Sequence, residues 1–384
     1  MQGVDTPIIP TIAALVRETP GSISLGQGVV NYGPPAAAQD AIAAMVAVPF
    51  NHKYQAVTGI APLVGAIRHK LSRENGILDS SQELMVTAGS NMAFLNAVLA
   101  VGDEGDEFIL PLPYYFNQEM AVRMAGCVPV FATTKPDFQL DLTALAAAIT
   151  PRTRAIVTVS PNNPTGAVYS AADLAAVNVL CKARGLYHFS DEAYEYFVYD
   201  GAVHFSPASI SGAQNHTLSF FSFSKTYGMA SWRIGYVVYP SHLADAMNKV
   251  QDTNLICAPM VSQLVALQAL SLGRASIEPH LQALAKVRQQ VYAALRPISN
   301  IVEFPETRGA FYVLMKLPGV DDPLAFNQQM TRRHKVATIP GFAFGFTNSK
   351  QANYQRLSYG ALDAASVEQG VQRFAAAVQD WYRT

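Results

Sequence analysis

Short apolar runs alternate with longer amphipathic segments between about residues 60 and 240 of the chain. Runs rich in β-branched and aromatic residues predict buried strands, whereas apolar positions that recur every three or four residues predict helices. The predicted strands are residues 84–87, 107–110, 128–132, 155–159, 186–190, 217–223 and 234–238. Alternation of strands and helices over this length predicts an α/β fold with a mostly parallel, seven-stranded sheet between helices.

The segment 171–184 illustrates the helical pattern. Leu174 and Val177 fall on one of its faces at the spacing of a helix turn. Ser170 is suited to cap the first turn, and Gly185 can end the helix in the left-handed conformation. The segment is therefore predicted to be a helix that packs against the sheet.

The pattern changes beyond about residue 275. A long helical stretch precedes two predicted strands, at 309–315 and 354–359. The last predicted helix carries apolar residues at three- and four-residue spacing, namely Val367, Val371, Phe374, Val378 and Trp381. This pattern predicts a second, smaller domain of the α+β class.

The composition favours a large buried core and excludes two classes of partner. Half of the 384 residues are hydrophobic and 14% are charged, against a typical charged share of about 25%. A chain of this length predicts two domains. The net charge of −1 gives no global electrostatic basis for binding nucleic acid or an anionic membrane surface.

The cysteines and the apolar runs indicate the cellular compartment in which the protein is expected. Cys127, Cys181 and Cys257 are few, odd in number and far apart, which favours a reducing environment over a disulfide framework. The histidines show no spacing typical of a metal site. Residues 1–5 lack the features of a signal peptide, and no apolar run reaches the roughly 20 residues that span a bilayer. A cytoplasmic protein without membrane segments is expected.

Lys225 is the most informative residue for chemistry. It directly follows the apolar run 218–223, and Arg233 lies eight residues further on, between Trp232 and Ile234. A lysine that is buried without a partner tends to lose its proton, and the neutral amine attacks carbonyls to form Schiff bases. The alternative is a lysine at the end of a strand whose side chain extends to water.

Three further segments place polar groups at turns after predicted strands. Thr-Ala-Gly-Ser-Asn at 87–91 leads into a predicted helix at 92–99, which favours an anion site. Pro-Asn-Asn-Pro-Thr-Gly at 161–166 predicts a rigid turn. Asp191 follows the predicted strand 186–190, where a carboxylate requires a cationic partner unless it merely caps a helix.

These segments together resemble the fold-type I, pyridoxal-phosphate-dependent aminotransferases of class I and II. The matching strings are 222–235 around Lys225, Asn-Pro-Thr-Gly at 163–166, Ser-Asp-Glu-Ala-Tyr at 190–194 and Arg-Leu-Ser at 356–358. They occur in the order of the family, and the resemblance covers nearly the whole chain. It implies a cofactor-binding large domain at 46–274, a small C-terminal domain at 275–384, and residues 1–45 as an N-terminal arm that joins the small domain.

The resemblance also implies roles for individual residues. Lys225 would carry pyridoxal 5′-phosphate and act as general base, Asp191 would keep the ring nitrogen protonated, and Tyr194 would hydrogen-bond the phenolic oxygen. Tyr115 would stack on the ring, and Tyr54 would reach across a homodimer to the neighbouring phosphate. The phosphate would be held chiefly by Gly89, Ser90, Asn91, Ser222 and Arg233.

The resemblance also assigns the substrate carboxylate. Arg356 would bind it, a role that suits a planar, bidentate donor, and Asn163 and the backbone of Gly28 would assist. Residues 29–32, Val-Val-Asn-Tyr, depart from the acidic or Phe-Pro segment often found there in the family. This departure lies where the substrate side chain is recognised.

The predicted reaction is a ping-pong transamination between an amino acid and a 2-oxo acid, with neutral, aromatic or methionine-like amino acids favoured. Aspartate aminotransferase remains an alternative, with Arg308 or Arg123 as candidates to bind a second carboxylate. A carbon–sulfur β-lyase and a non-catalytic, cofactor-binding regulator also remain open. A hydride-transferring enzyme is disfavoured, since no GxGxxG follows the first predicted strand.

Overall fold

The secondary structure is that of a computed structural model, which describes residues 4, 8–77, 82–346 and 353–383. The strands are β1 Ile23–Ser24, β2 Gln82–Thr87, β3 Glu107–Leu112, β4 Val128–Thr133, β5 Thr153–Val159, β6 Tyr187–Asp191, β7 Thr217–Ser222, β8 Gly235–Pro240, β9 Tyr312–Lys316, β10 Val336–Ala337, β11 Ile339–Pro340 and β12 Tyr354–Ser358. The α-helices are α1 Ile8–Arg17, α2 Ala36–Gln39, α3 Ala41–Ala47, α4 Ala61–Lys70, α5 Ser90–Val101, α6 Phe116–Met124, α7 Leu142–Ala147, α8 Ala171–Arg184, α9 Phe223–Thr226, α10 Ala244–Asn254, α11 Met260–Ser271, α12 Glu278–Leu295, α13 Pro323–His334 and α14 Ala364–Trp381.

The large sheet has seven strands in the order β2-β8-β7-β6-β5-β3-β4. The pairs β3–β4, β3–β5, β5–β6 and β6–β7 are parallel, whereas β8 runs antiparallel to both β2 and β7. Each of these strands overlaps one predicted from the hydrophobic pattern. The prediction of an α/β fold with a mostly parallel, seven-stranded sheet is therefore confirmed.

This topology decides which loops meet. The carboxyl ends of parallel strands lie at one edge of the sheet, and ligands of open α/β sheets bind there. Because β8 is antiparallel, its amino end at Gly235 reaches the same edge, opposite Ser222 of β7 and Thr87 of β2. The segments that follow β5, β6 and β7 therefore converge with the segment that precedes β8.

Side chains of the strands alternate between the two faces of the sheet. Phe220 packs against Phe94 and Phe189 on one face, with ring centroids 5.4 and 5.3 Å away. Its neighbour Phe221 belongs to the other face, where it stacks on Tyr236 at 4.9 Å. Burial of each such ring contributes roughly 1.5–3 kcal/mol, so the aromatic centre of the sheet fixes the positions of the strand ends.

Helix α8 has the predicted bounds and the predicted caps. The Ser170 hydroxyl accepts a hydrogen bond from the backbone N–H of Asp173 at 3.0 Å. Gly185 ends the helix with φ +66°, a conformation that glycine adopts without strain. Leu174 and Val177 are fully buried, as their spacing predicted.

Two observed boundaries differ from the predicted ones by one or two residues, at the edge of the sheet where the parallel strands end. The strand predicted at 217–223 ends at Ser222, whose hydroxyl accepts a hydrogen bond from the Ser224 N–H at 3.1 Å and so caps α9. Helix α5 begins at Ser90 instead of residue 92, because Gly89 with φ +85° turns the chain sharply after β2. Both differences place hydrogen-bonding groups closer to the sheet edge.

A three-stranded antiparallel sheet, in the order β11-β12-β9, forms the smaller layer. Arg356 of β12 pairs with Leu314 of β9 and with Ile339 of β11. The strand predicted at 309–315 begins only at Tyr312, because Ala310 at φ +51° departs from extended backbone. The N-terminal segment contributes β1, which pairs in parallel with β10 in a separate two-stranded sheet.

The domain boundaries at 45 and 274 remain a prediction. In the part of the chain that the structure describes, none of the helices combines the length and the apolar character needed to cross a membrane.

Candidate active site

A cavity of about 290 Å³ opens at the carboxyl edge of the large sheet. Its walls combine the ends of strands with the first residues of helices. The predicted site residues that line it are Ser90, Asn91, Tyr115, Asn163, Asp191, Tyr194, Ser222, Lys225 and Arg233. Residues spread over more than 140 positions of the sequence are thus brought together, because strands β3, β5, β6 and β7 all end at this edge.

Lys225 is the third residue of the short helix α9, which Ser222 caps. Its Nζ donates a hydrogen bond to the backbone oxygen of Gly28, 2.5 Å away. Burial, together with the nearby charges of Arg233 and Arg356, lowers the pKa of the ammonium to about 8. The neutral, nucleophilic amine is therefore much more populated near neutral pH than it is for a solvent-exposed lysine.

Asp191 ends strand β6 and is 8% exposed. One carboxylate oxygen accepts a hydrogen bond from Gln118 Nε2 at 2.7 Å, and the other accepts one from the Ala193 N–H at 3.1 Å. Among the described residues no basic side chain forms an ion pair with it, and burial raises its pKa to about 6. The site therefore holds a carboxylate that lacks a cationic partner.

Arg233 is a cationic side chain at the same cavity, and unlike Asp191 it is exposed. Its guanidinium donates to the backbone oxygens of Ala230, at 2.8 Å, and Ala88, at 3.4 Å, and forms no ion pair with any carboxylate in the described ranges. A Cβ on Gly89 would lie 2.3 Å from Nη2 of Arg233. Beside it, α5 begins at Ser90 and presents unpaired N–H groups and the positive end of its dipole. This corner is built for an anion.

Arg356 lies behind the cavity and is 2% exposed. It donates to Asn163 Oδ1 at 2.8 Å and to the backbone oxygen of Gly26 at 2.6 Å. Its Nε is buried and has no hydrogen-bond partner in the part of the chain that the structure describes. The centroids of the Tyr312 and Phe344 rings lie 4.6 and 5.0 Å from the guanidinium carbon. A fixed guanidinium with an unused donor suits a carboxylate.

Two residues of this constellation were not predicted from the sequence. Gln118 of α6 orients Asp191, and Tyr312 of β9 pairs its hydroxyl with that of Tyr194 at 2.6 Å. Nothing in the helical pattern distinguishes Gln118. Tyr312 belongs to a string, 309–315, whose pattern predicts only a strand.

The remaining predicted residues lie at different distances from the cavity. Gly28 meets Lys225 through its backbone oxygen, whereas Tyr54 is 78% exposed and does not line the cavity of its own chain. Arg308 borders a separate surface cavity. Arg123 forms an ion pair with Glu119 on α6. Neither arginine therefore faces Lys225.

The charges around the cavity describe the ligand that it fits. Three groups lie on the walls of one cavity: a buried carboxylate with no cationic partner among the described residues, an exposed guanidinium with no anionic partner among them, and a nucleophilic lysine. A ligand with a protonated ring nitrogen, a phosphate and an aldehyde satisfies all three groups. Fold and cavity together are those of a fold-type I enzyme of the pyridoxal-phosphate-dependent class.

Comparison with known proteins narrows this class. Residues 20–374 match the family model of class I and II aminotransferases. The chain is 34% identical over 389 residues to the aromatic aminotransferase ISS1 of Arabidopsis thaliana, covering 98% of this chain and 95% of the relative. It is also 34% identical over 385 residues to an aspartate aminotransferase of Rhizobium meliloti, covering 95% and 91%.

Solved structures of aminotransferases are also similar to this chain. An aspartate aminotransferase from Thermus thermophilus with maleate has a TM-score of 0.90 at 31% identity, covering 98% of both chains. An aromatic aminotransferase from Pyrococcus horikoshii has a TM-score of 0.87 at 30% identity, covering 97% of this chain and all of that one. The chain belongs to the class I and II aminotransferases, a family that uses pyridoxal phosphate, and it is an aminotransferase.

Proposed function

We propose that this aminotransferase binds pyridoxal 5′-phosphate at Lys225 and transfers the α-amino group of a neutral or aromatic amino acid to a 2-oxo acid. The observation that carries the proposal is the charge arrangement of the cavity. Within the described ranges, Asp191 has no cationic partner and Arg233 has no anionic one, and the pKa of Lys225 is lowered to about 8. The cofactor satisfies all three groups at once.

Each end of the cofactor has its own residues. Asp191 would pair with the ring nitrogen, and Tyr115 would cover a face of the ring. Tyr194 and Asn163 would hydrogen-bond the phenolic oxygen. The phosphate would take the N–H groups at the start of α5 and the side chains of the anion corner, comprising Gly89, Ser90, Asn91, Ser222 and Arg233.

When bound, the cofactor supplies an electron sink for the bonds of the substrate α-carbon. The side chains of the protein bind and orient the substrate and move its proton. Arg356 and Asn163 bind and orient the α-carboxylate, and this orientation decides which α-bond is broken. The Nζ of Lys225 would accept the proton from the α-carbon of the substrate and deliver it to the C4′ carbon of the cofactor. Its lowered pKa suits a base that works near neutral pH.

The lining of the cavity supports a neutral side chain on the substrate. Within the described residues, Lys225 and Arg233 are the cationic side chains that line it, and both are assigned to the cofactor. Val29, from the segment that departs from the family pattern, adds an apolar wall. Similarity to both aromatic and aspartate aminotransferases keeps aspartate as the second candidate. Its distal carboxylate would need a cation from outside this cavity.

A homodimer forms part of the proposal. Four large apolar side chains within nine positions, 46–54, are exposed in the single chain, by 65% for Val46, 45% for Val48, 62% for Phe50 and 78% for Tyr54. Several large exposed apolar side chains within one short segment are typical of an interface. In a dimer, Tyr54 at the end of this segment would reach the anion corner of the neighbouring subunit.

Mixing two inactive variants tests the dimer. A Lys225→Ala chain and a Tyr54→Ala chain, refolded together, would form hybrid dimers in which one site retains both residues. We expect activity to return towards one quarter of the wild-type level on mixing equal amounts, since half of the dimers are hybrids and each has one intact site. Failure of the mixture to exceed its separate components would contradict a Tyr54 that crosses between subunits.

The absorption spectrum of the purified protein tests the reaction. A visible band that bleaches when a single amino acid is added without an oxo acid would support half-transamination, and the fastest amino acid would identify the substrate class. Release of pyruvate with persistence of the band would indicate a β-lyase. Cofactor binding without either reaction would indicate a regulator, and absence of a band after addition of pyridoxal phosphate would refute the proposal.

A further inference from the structure

Tyr312 connects two parts of the site that lie on different sheets. It begins β9 of the smaller sheet and is 1% exposed. Its hydroxyl lies 2.6 Å from that of Tyr194, which follows β6 of the large sheet. The N-terminal segment closes over the same hydroxyl, since a Cβ on Gly28 would lie 2.3 Å from it. Tyr312 is thus held from three directions.

The ring of Tyr312 supports Arg356. Its centroid lies 4.6 Å from the guanidinium carbon, well within the range of a cation–π interaction. The Arg356 side chain is buried, where such an interaction is stronger than at the surface. Since two of its nitrogens bind Asn163 and Gly26, the ring completes the support that fixes the plane of the guanidinium.

The hydroxyl of Tyr312 is protonated near neutral pH and has a neighbour with which it can form a hydrogen bond. Burial raises the pKa of Tyr312 to about 12 and that of Tyr194 well above its usual value, so both phenols keep their protons near neutral pH. The other titratable groups that act on Tyr194 are Tyr115 and Arg356. In the part of the chain described, the Tyr312 hydroxyl has Tyr194 as its one hydrogen-bond partner.

The positions of the two oxygens allow either hydroxyl to donate, but the surroundings favour Tyr312 as the donor and Tyr194 as the acceptor. The reverse direction would leave the buried Tyr312 proton without an acceptor, an arrangement that folded proteins avoid. The proton of Tyr194 is then free to point into the cavity that its side chain lines. Donors in such a chain polarise one another, so that Tyr194 becomes a stronger donor than an isolated phenol.

We infer that Tyr312 is a positioning residue that acts through two others. Its hydroxyl directs the Tyr194 proton towards the phenolic oxygen of the cofactor, and its ring holds Arg356 in place for the α-carboxylate of the substrate. The inference rests on the proposed function and deepens it. One side chain of the smaller sheet thereby links cofactor activation to substrate binding.

Two substitutions separate the two roles. Tyr312→Phe removes only the hydroxyl, and Tyr312→Leu removes the ring as well. In the cofactor-loaded protein, we expect Tyr312→Phe to raise the pH midpoint of the visible absorption band by roughly half a unit, because the weakened Tyr194 donor stabilises the deprotonated chromophore less. Its KM for the amino acid should stay within about twofold, whereas Tyr312→Leu should raise KM about tenfold.

A double variant distinguishes a positioning role from a structural one. In a Tyr194→Phe background, adding Tyr312→Phe should shift the midpoint no further, because the residue through which Tyr312 acts is already absent. Tyr239→Phe is the matched control, since Tyr239 is equally buried but lies on β8, whose neighbour there is Glu83 of β2. Its midpoint should equal that of the wild type.

The inference and the proposed function fail in different ways. A wild-type protein that gives no visible band with pyridoxal phosphate would refute the proposed function. A normal wild-type band with an unchanged midpoint in Tyr312→Phe, or an equal further shift in the double variant, would overturn the inference alone. If Tyr312→Leu does not fold, the Tyr312→Phe midpoint and the double variant still decide the question.

Discussion

Replacing Asp191 by Asn should stabilise the cofactor-free protein while abolishing its function. The carboxylate is buried, and the hydrogen bonds that it accepts from Gln118 and Ala193 involve no cation. An Asn side chain has nearly the same shape and can keep both contacts if the Gln118 amide turns over. The substitution therefore removes a buried charge without leaving a cavity.

The magnitude follows from the pKa of Asp191, which rises from 3.8 to about 6 on folding. A carboxyl whose pKa is raised in the native state favours folding when protonated, so stability is lost as pH increases through the window from 3.8 to about 6. At about 1.4 kcal/mol per unit, the ionised group destabilises the native state by roughly 3 kcal/mol at pH 8 and about 1.5 kcal/mol at pH 5.

Urea unfolding of the cofactor-free protein at a fixed protomer concentration measures this difference. Asp191→Asn should be the more stable protein at pH 8, and its advantage should shrink at pH 5. Added pyridoxal phosphate should stabilise the wild type more than the variant, because the ring nitrogen supplies the missing cation. An Asn variant that is no more stable than the wild type at pH 8 would refute the reasoning.

Asp106→Asn provides a control of opposite sign. Burial acts to raise the pKa of Asp106, but hydrogen bonds from Arg154 Nε, at 2.7 Å, and from the Asp103 N–H, at 2.9 Å, bring it below its usual value. A carboxylate with a lowered native pKa stabilises the fold above its unfolded pKa and loses that contribution as pH falls. Asp106→Asn should therefore destabilise the protein near neutral pH, and a loss of stability in both variants would point to a general effect of Asn.

Three further substitutions test the site. Lys225→Ala should leave a folded protein that lacks turnover, measured by transamination assay and circular dichroism, and substantial retained transamination would contradict the role of Lys225. Arg356→Lys should raise KM for the amino acid roughly 10- to 100-fold with cofactor affinity unchanged, because a lysine cannot reproduce the planar donor pair. Loss of bound cofactor would contradict the assignment of Arg356 to the substrate. Gly89→Ala should weaken cofactor binding in an equilibrium titration, since the added Cβ would lie 2.3 Å from Arg233 Nη2 and the backbone has φ +85°. Unchanged affinity would mean that the phosphate binds elsewhere.

The sequence predicts what depends on local pattern. The seven strands of the large sheet, the helix capped by Ser170 and the polar segments at strand ends all follow from hydrophobic periodicity and turn chemistry. Parallel strands then bring those segments together, which explains why predicted residues such as Lys225 and Asn163 share one cavity. Their detailed roles came from resemblance to a family, not from pattern.

Contacts between distant elements could not be predicted in this way. Gln118 reaches Asp191 across 73 positions, and Tyr312 reaches Tyr194 across 118. A glutamine on a helix and a tyrosine in a strand are ordinary in composition, and no spacing relates either one to its partner. Such contacts depend on how helices and the smaller sheet pack on the large sheet, which periodicity within one element does not encode.

The cavity brings together several departures from the rules of a stable fold. Elsewhere a buried charge such as Lys70 has its counterion, Glu195, at 2.6 Å. At the cavity, Asp191 is buried with no cationic partner among the described residues, Arg233 adopts φ +50°, and the buried Nε of Arg356 has no hydrogen-bond partner in the same ranges. The buried charge, the left-handed backbone and the unpaired donor each destabilise the free protein. On the proposed function, a cofactor and a carboxylate substrate would relieve the buried charge and the unpaired donor. Part of the binding energy of these ligands would then come from removing unfavourable contributions, so that the residues that lower the stability of the free protein are the ones that bind its ligands.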